Sequence, residues 1–175
     1  MTLPTDLTLD GLTPSRLWAA LDDETRDLAA QSLYRGDWDD PAGRQEADAA
    51  IATAIRFRPM AVRKLPVDKR VGYLRKTVRP DDALASSLLL ALHLDRRSAL
   101  LESFLDRLGI PQEGGMIDAD HDFEPPPADA LRDAVAHLRA EFAPEQVEVY
   151  LASLVAMEPE VWGGLVEVLT EERAG

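Results

Sequence analysis

The sequence predicts an all-α protein of antiparallel helix pairs, and three observations predict it. Apolar residues recur at three- and four-residue intervals through most of the chain, as one buried helix face requires. Prolines stand at the starts of several of these stretches, at Asp40-Pro41, Pro66, Pro80, Pro144 and Pro159. Proline is tolerated in the first helical turn because its missing N–H has no partner there anyway. The stretch 84–94 carries leucine around its whole circumference, and a helix apolar all round belongs at the centre of a fold or in a membrane. Counting such stretches gives about nine to ten helices. They are expected in a single all-helical domain spanning 1–175, with a long non-helical loop at 110–127.

The elements follow in order. Pro14 and the run Ser15–Leu21 make a short helix, with Thr13 as its expected cap. A second runs from about Asp23 to Tyr34, where Asp22, Asp23 and Glu24 favour the positive end of the helix dipole. A third opens at Asp40-Pro41 with the stripe Ala47, Ile51, Ala54 and Ile55, and Pro59 limits it. A fourth runs from Pro66 to about Val78 and buries Val67, Val71, Leu74 and Val78, which fall in a narrow arc at about 100° per residue. The leucine-rich helix follows Pro80-Asp81-Asp82. Leu100, Leu101, Phe104, Leu105 and Leu108 form the next, closed by Gly109. From 110 to 127 the pattern disappears, apart from a short extended piece at Met116-Ile117. Three helices end the chain, and Gly163-Gly164 thins the last where another backbone is expected to cross closely.

Helix pairs recur roughly every 40 residues, a spacing that resembles a HEAT-like α-solenoid. The resemblance is one of architecture, with no alignable repeat signature. The expected fold is therefore an irregular helical bundle or a short HEAT-like α-solenoid. The second would present a concave groove suited to a peptide, protein or nucleic acid.

Composition narrows the function classes. The 175 residues suit one domain and can bury a core without crosslinks. Absence of cysteine excludes a disulfide scaffold and a thiolate zinc site. With 46% hydrophobic residues the chain is not a disordered one. No run approaches the roughly 20 apolar residues of a membrane span. Met1–Asp6 shows no basic patch ahead of an apolar stretch, so no secretory signal is expected and the cytoplasm is the expected compartment. Sixteen arginines against three lysines suggest the coding bias of a GC-rich, bacterial genome.

The formal charge is −13, and it is segregated. Arg56, Arg58, Arg63, Lys64, Lys69, Arg70, Arg75, Lys76 and Arg79 share the stretch 56–79 with one acid, Asp68. The other residues hold 31 acids and 10 bases. A belt of this kind either faces acidic helices of its own chain or a second copy, or it receives an anionic partner. Phe57 and Tyr73 could add stacking. The candidate partner-binding residues are Arg63, Lys64, Lys69, Arg70, Arg75 and Lys76.

Catalytic signatures are sparse. Asp118, Asp120, Asp122 and Glu124 mimic the first half of a calcium-binding EF-hand loop, and Asp129 falls at its twelfth position. Position six is Phe123 where the sharp turn needs glycine, so Asp118, Asp120 and Asp122 are weak metal candidates and no cofactor is expected. His93 lies in the leucine-rich helix and reads as core, His137 as surface, and His121 is ringed by carboxylates. None stands in a hydrolase or metalloprotease motif. Trp18 and Trp162 fit helix core faces, whereas Trp38 sits in the acidic Gly36–Asp40 loop and is expected to fold back. The expectation is a non-enzymatic protein-interaction or scaffold module, with a protein partner or homo-oligomer and no membrane. The alternatives are a nucleic-acid or anionic-ligand binder through 56–79, and a metal-dependent enzyme using 118–124.

Overall fold

Aspartates just ahead of an apolar stripe become helix caps. Asp22 accepts the Thr25 N–H, Asp40 the Gly43 N–H at 2.8 Å and Asp81 the Leu84 N–H at 3.0 Å. Each satisfies an amide that a helix start leaves unpaired. The computed structural model describes residues 7–118 and 124–174. The described residues form eleven helices: α1 Pro14–Ala20, α2 Asp23–Arg35, α3 Pro41–Ile55, α4 Pro59–Arg63, α5 Val67–Lys76, α6 Asp82–Arg96, α7 Ser98–Arg107, α8 Ala128–Glu141, α9 Pro144–Met157, α10 Pro159–Trp162 and α11 Gly164–Ala174. The protein is all-α, with one small hairpin of β1 Gln112–Glu113 and β2 Met116–Ile117. Two short pieces raise the helix number. Pro59, expected only to stop α3, starts α4, and the chain breaks at Gly163 between α10 and α11.

The chain divides into two compact units, one of residues 14–96 and one of residues 1–13 with 97–175. In the first, α6 is central: α1, α2 and α3 pack on it, α5 lies against α2 and α3, and α4 against α3. Leu84, Leu88, Leu89 and Leu92 are fully enclosed, as is His93, while Leu90 and Leu94 are half-buried. Ser32 Oγ donates to Asp95 Oδ2 at 2.8 Å and ties α2 to α6. Asp82 of α6 accepts the Ser15 N–H at 2.9 Å, so a contact from 67 residues away holds the start of α1 beside the expected cap Thr13. The α3 stripe differs from the expected one. Gly43, Ala47, Asp48, Ile51 and Ala52 are buried, Ile55 is half-buried and Ala54 is exposed. The face is rotated because Asp48 turns inward to bind Tyr34 and Arg70.

The second unit is built on aromatic packing. Phe104 of α7 meets Tyr150 of α9 edge-on, with ring centroids 5.6 Å apart, and Trp162 of α10 at 5.7 Å. Such offset geometry is favoured by the ring quadrupoles. α8 packs on α7, α9 and α11, with Arg107–Asp133 at 2.6 Å and Arg132–Glu171 at 2.8 Å along those seams. At Gly164 an added Cβ would lie 2.9 Å from a Leu131 methyl, so the close approach expected there is made by a side chain more than by a backbone. In the hairpin, Gly114 and Gly115 both have positive φ, which a two-residue turn of the I′ kind demands. The extended piece at Met116-Ile117 thus has Gln112-Glu113 as its partner, a pairing not read from the sequence. Within each unit the contacts are not confined to chain neighbours, since α6 returns to α1 and α11 returns to α8. Each is an irregular bundle and not a row of stacked repeats.

Candidate functional site

The basic belt falls wholly in the unit of residues 14–96, and packing sorts its charges into two sets. Arg70 is the most engaged. Its Nη1 lies 3.2 Å from Asp48 Oδ1, and its guanidinium carbon sits 4.5 Å from the centre of the Tyr34 ring. Tyr34 donates its O–H to the same Asp48 oxygen at 2.8 Å. Burial, and then the hydrogen bond to Asp48, push the Tyr34 phenol well above its ordinary range. This three-residue cluster locks α5 onto α2 and α3. Arg75 pairs with Asp27 of α2 at 3.2 Å, and Asp68, the only acid of the belt, is taken by Arg35 at 2.7 Å. Arg70 and Arg75, read as partner-binding from the sequence, are therefore committed to acids of their own unit.

The other charges are free of such ties. Arg63, Lys64, Lys69 and Lys76 are exposed and make no ion pair among the described residues, and the same holds for Arg56, Arg58 and Arg79. Tyr73 is half-buried, but Phe57 is 54% and Met60 64% exposed. The backbone makes this happen. α3 ends with Arg56 in the left-handed region, φ 58°, and the Phe57 N–H closes back on Ala52 O at 2.9 Å. The chain reverses, Pro59 opens α4, and of α4 only Val62 is buried. The result is a run of exposed cations with two exposed apolar side chains among them in the chain. Arg56 and Arg58 were legible as part of the belt, but Met60 carried no sequence signal beyond its neighbours' charge.

A second cluster was not anticipated. Ser103 Oγ of α7 lies 3.1 Å from His137 Nε2 of α8, and donates to Glu141 Oε2 at 3.3 Å. It lies in an open cleft of about 530 Å³, lined also by Glu102, Asp106 and Arg107. The arrangement is not that of a nucleophilic triad, where nucleophile and carboxylate use opposite nitrogens of the imidazole. Here Glu141 approaches the same Nε2, at 3.4 Å, and leaves that nitrogen shared. Next to it the Arg107 hydrogen bond holds the Asp133 carboxyl below the usual carboxylate range. The cluster acts as a polar tie between α7 and α8. The spacing of His137 and Glu141 on one helix was readable, but Ser103 lies 34 residues away in sequence.

Of the weak metal candidates, Asp120 and Asp122 lie outside the described residues, as does His121, and Asp118 is exposed. Among the described residues no group of three or more His, Asp or Glu side chains is placed to hold a metal ion. Trp18 and Trp162 are buried, and Trp38 is half-buried, its indole N–H enclosed and without a hydrogen-bond partner among the described residues. No described helix is long and apolar enough to cross a membrane.

What fold and surface define is an all-helical protein whose exposed cations are concentrated in one segment of the chain. Comparison of the chain with family models, with curated proteins and with solved structures finds no match.

Proposed function

We propose that the protein is a non-enzymatic interaction module, cytoplasmic and bacterial, that takes an acidic protein surface on the exposed face of residues 56–79. The single observation that carries this reading is the sorting of the belt. Its unpaired cations (Arg56, Arg58, Arg63, Lys64, Lys69, Lys76 and Arg79) are those at the surface, while the cations that fold the unit are already paired. Charges left unpaired on one face steer association and select partners more than they stabilise a fold. A nucleic-acid partner is the second reading, because Phe57 among arginines could stack a base. One feature favours protein over nucleic acid: the exposed Met60 offers no π face to a base but an apolar contact to a protein side chain.

The test is fluorescence anisotropy with a labelled glutamate–leucine copolymer against single-stranded DNA of equal charge. The copolymer is expected to bind more tightly, with affinity falling as salt rises, and Lys64→Glu with Lys69→Glu to abolish it. Preference for the DNA would transfer the surface to the second reading, and binding of neither would remove both.

A further inference from the structure

We infer that the knuckle of residues 56–64 is an anchor for an acidic partner segment that also carries aliphatic side chains, its carboxylates meeting Arg56, Arg58, Arg63 and Lys64 and its apolar groups covering Phe57 and Met60. This rests on the interaction reading given above and deepens it.

Three independent features meet in these nine residues. The first is charge: four cations, no acid, and none of the four paired among the described residues. The second is exposed apolar surface. Phe57 and Met60 are two of only three large hydrophobic side chains exposed among the described residues, and they stand three positions apart in the same cationic segment. Scattered exposed hydrophobes need no explanation, but a phenylalanine and a flexible methionine with arginines beside them in the chain have the composition of an interface centre. The third is backbone strain. Arg56 is the one non-glycine residue with positive φ among the described residues. The end of α3 makes the two closing hydrogen bonds of a turn that glycine fits best. An arginine in that place sacrifices stability, as residues held for contact with a partner do.

The occupant follows from the chemistry. Guanidinium groups bind carboxylates in a two-pronged fashion, so the partner carries aspartate or glutamate. Covering Phe57 and Met60 requires apolar side chains between those acids. A phosphate backbone meets the first requirement and leaves Met60 uncovered.

Two labelled peptides of about sixteen residues test this on the full chain. Both carry the same glutamates. One has leucines at three- and four-residue spacing, and the other has serine in their place. The leucine peptide is expected to bind about ten-fold more tightly in anisotropy titrations. Phe57→Ser with Met60→Ser should erase that preference while the melting temperature holds, both side chains being exposed. Arg56→Gly should weaken both peptides and raise the melting temperature, a combination that a misfolded variant cannot give. Equal affinity for both peptides overturns the anchor and leaves the interaction reading standing. Binding of neither overturns both. A dimer seen by sedimentation that Phe57→Ser with Met60→Ser dissociates assigns the knuckle to a second copy and likewise overturns the inference.

Discussion

Arg56 and Arg70 show how differently two residues of one belt can be used. Arg56 is held at φ 58°, where a side chain with Cβ costs about 1 kcal/mol relative to glycine. Arg56→Gly is therefore expected to stabilise the protein by about 1 kcal/mol in urea denaturation. A loss of stability would mean that the side chain contributes to folding. Arg70 is the opposite case. With side-chain exposures of 16% for Arg70 and 7% for Asp48, this pair is largely out of water, and Tyr34 completes it. Removing one partner of such a pair strands the other, and Asp48→Ala is expected to cost about 3 kcal/mol. Asp27, whose pair with Arg75 is more open, should cost under about 1 kcal/mol on the same change. Chemical unfolding of the two variants side by side checks the order; equal costs would remove the special role given to the Tyr34–Asp48–Arg70 cluster.

At the scale of elements, helix starts and stripes were the legible part. Asp22, Asp40 and Asp81 cap their helices because a short acidic side chain reaches the free amides two or three residues on. What was not legible came from pairs distant in the chain. The burial of Asp48 rotates α3 away from its simplest apolar stripe and leaves Ala54 in water. α4 escaped notice because five residues cannot show a helical period. The α7–α8 seam gives a pH test. The folded Asp133 carboxyl lies below its unfolded value because Arg107 hydrogen-bonds its ionised form. Its contribution is thus complete above the unfolded carboxylate value of about 4 and disappears as pH falls through the lower folded value. The melting-temperature gap between wild type and Asp133→Asn should narrow from about pH 5 to about pH 3. A gap that stays constant would show that the ion pair contributes nothing to folding.

For the whole molecule, the charge divides as the units do. Residues 14–96 carry 14 basic and 13 acidic side chains, whereas residues 1–13 with 97–175 carry 5 basic and 19 acidic ones. The first unit is close to neutral yet polarised, with its unpaired cations gathered on 56–79. The second repels itself. Salt screens such repulsion over about 10 Å at 0.1 M, more than it weakens the part-buried pairs. The melting temperature is therefore expected to rise between low salt and about 0.3 M sodium chloride in calorimetry. A fall would mean that surface ion pairs outweigh net repulsion.

The sequence by itself determined the helical class, most helix starts, the leucine-rich centre and the existence of a basic belt. All of these are set by residues within one or two turns of each other, where period, capping and composition act. Only the tertiary structure decided which belt charges remain for a partner. Arg70 and Arg75 meet Asp48 and Asp27 from 22 and 48 positions away, and Phe57 and Met60 stay in water because the left-handed turn at Arg56 carries them off the core. Such pairings depend on how packed helices bring distant side chains together, and no local pattern in the chain encodes them.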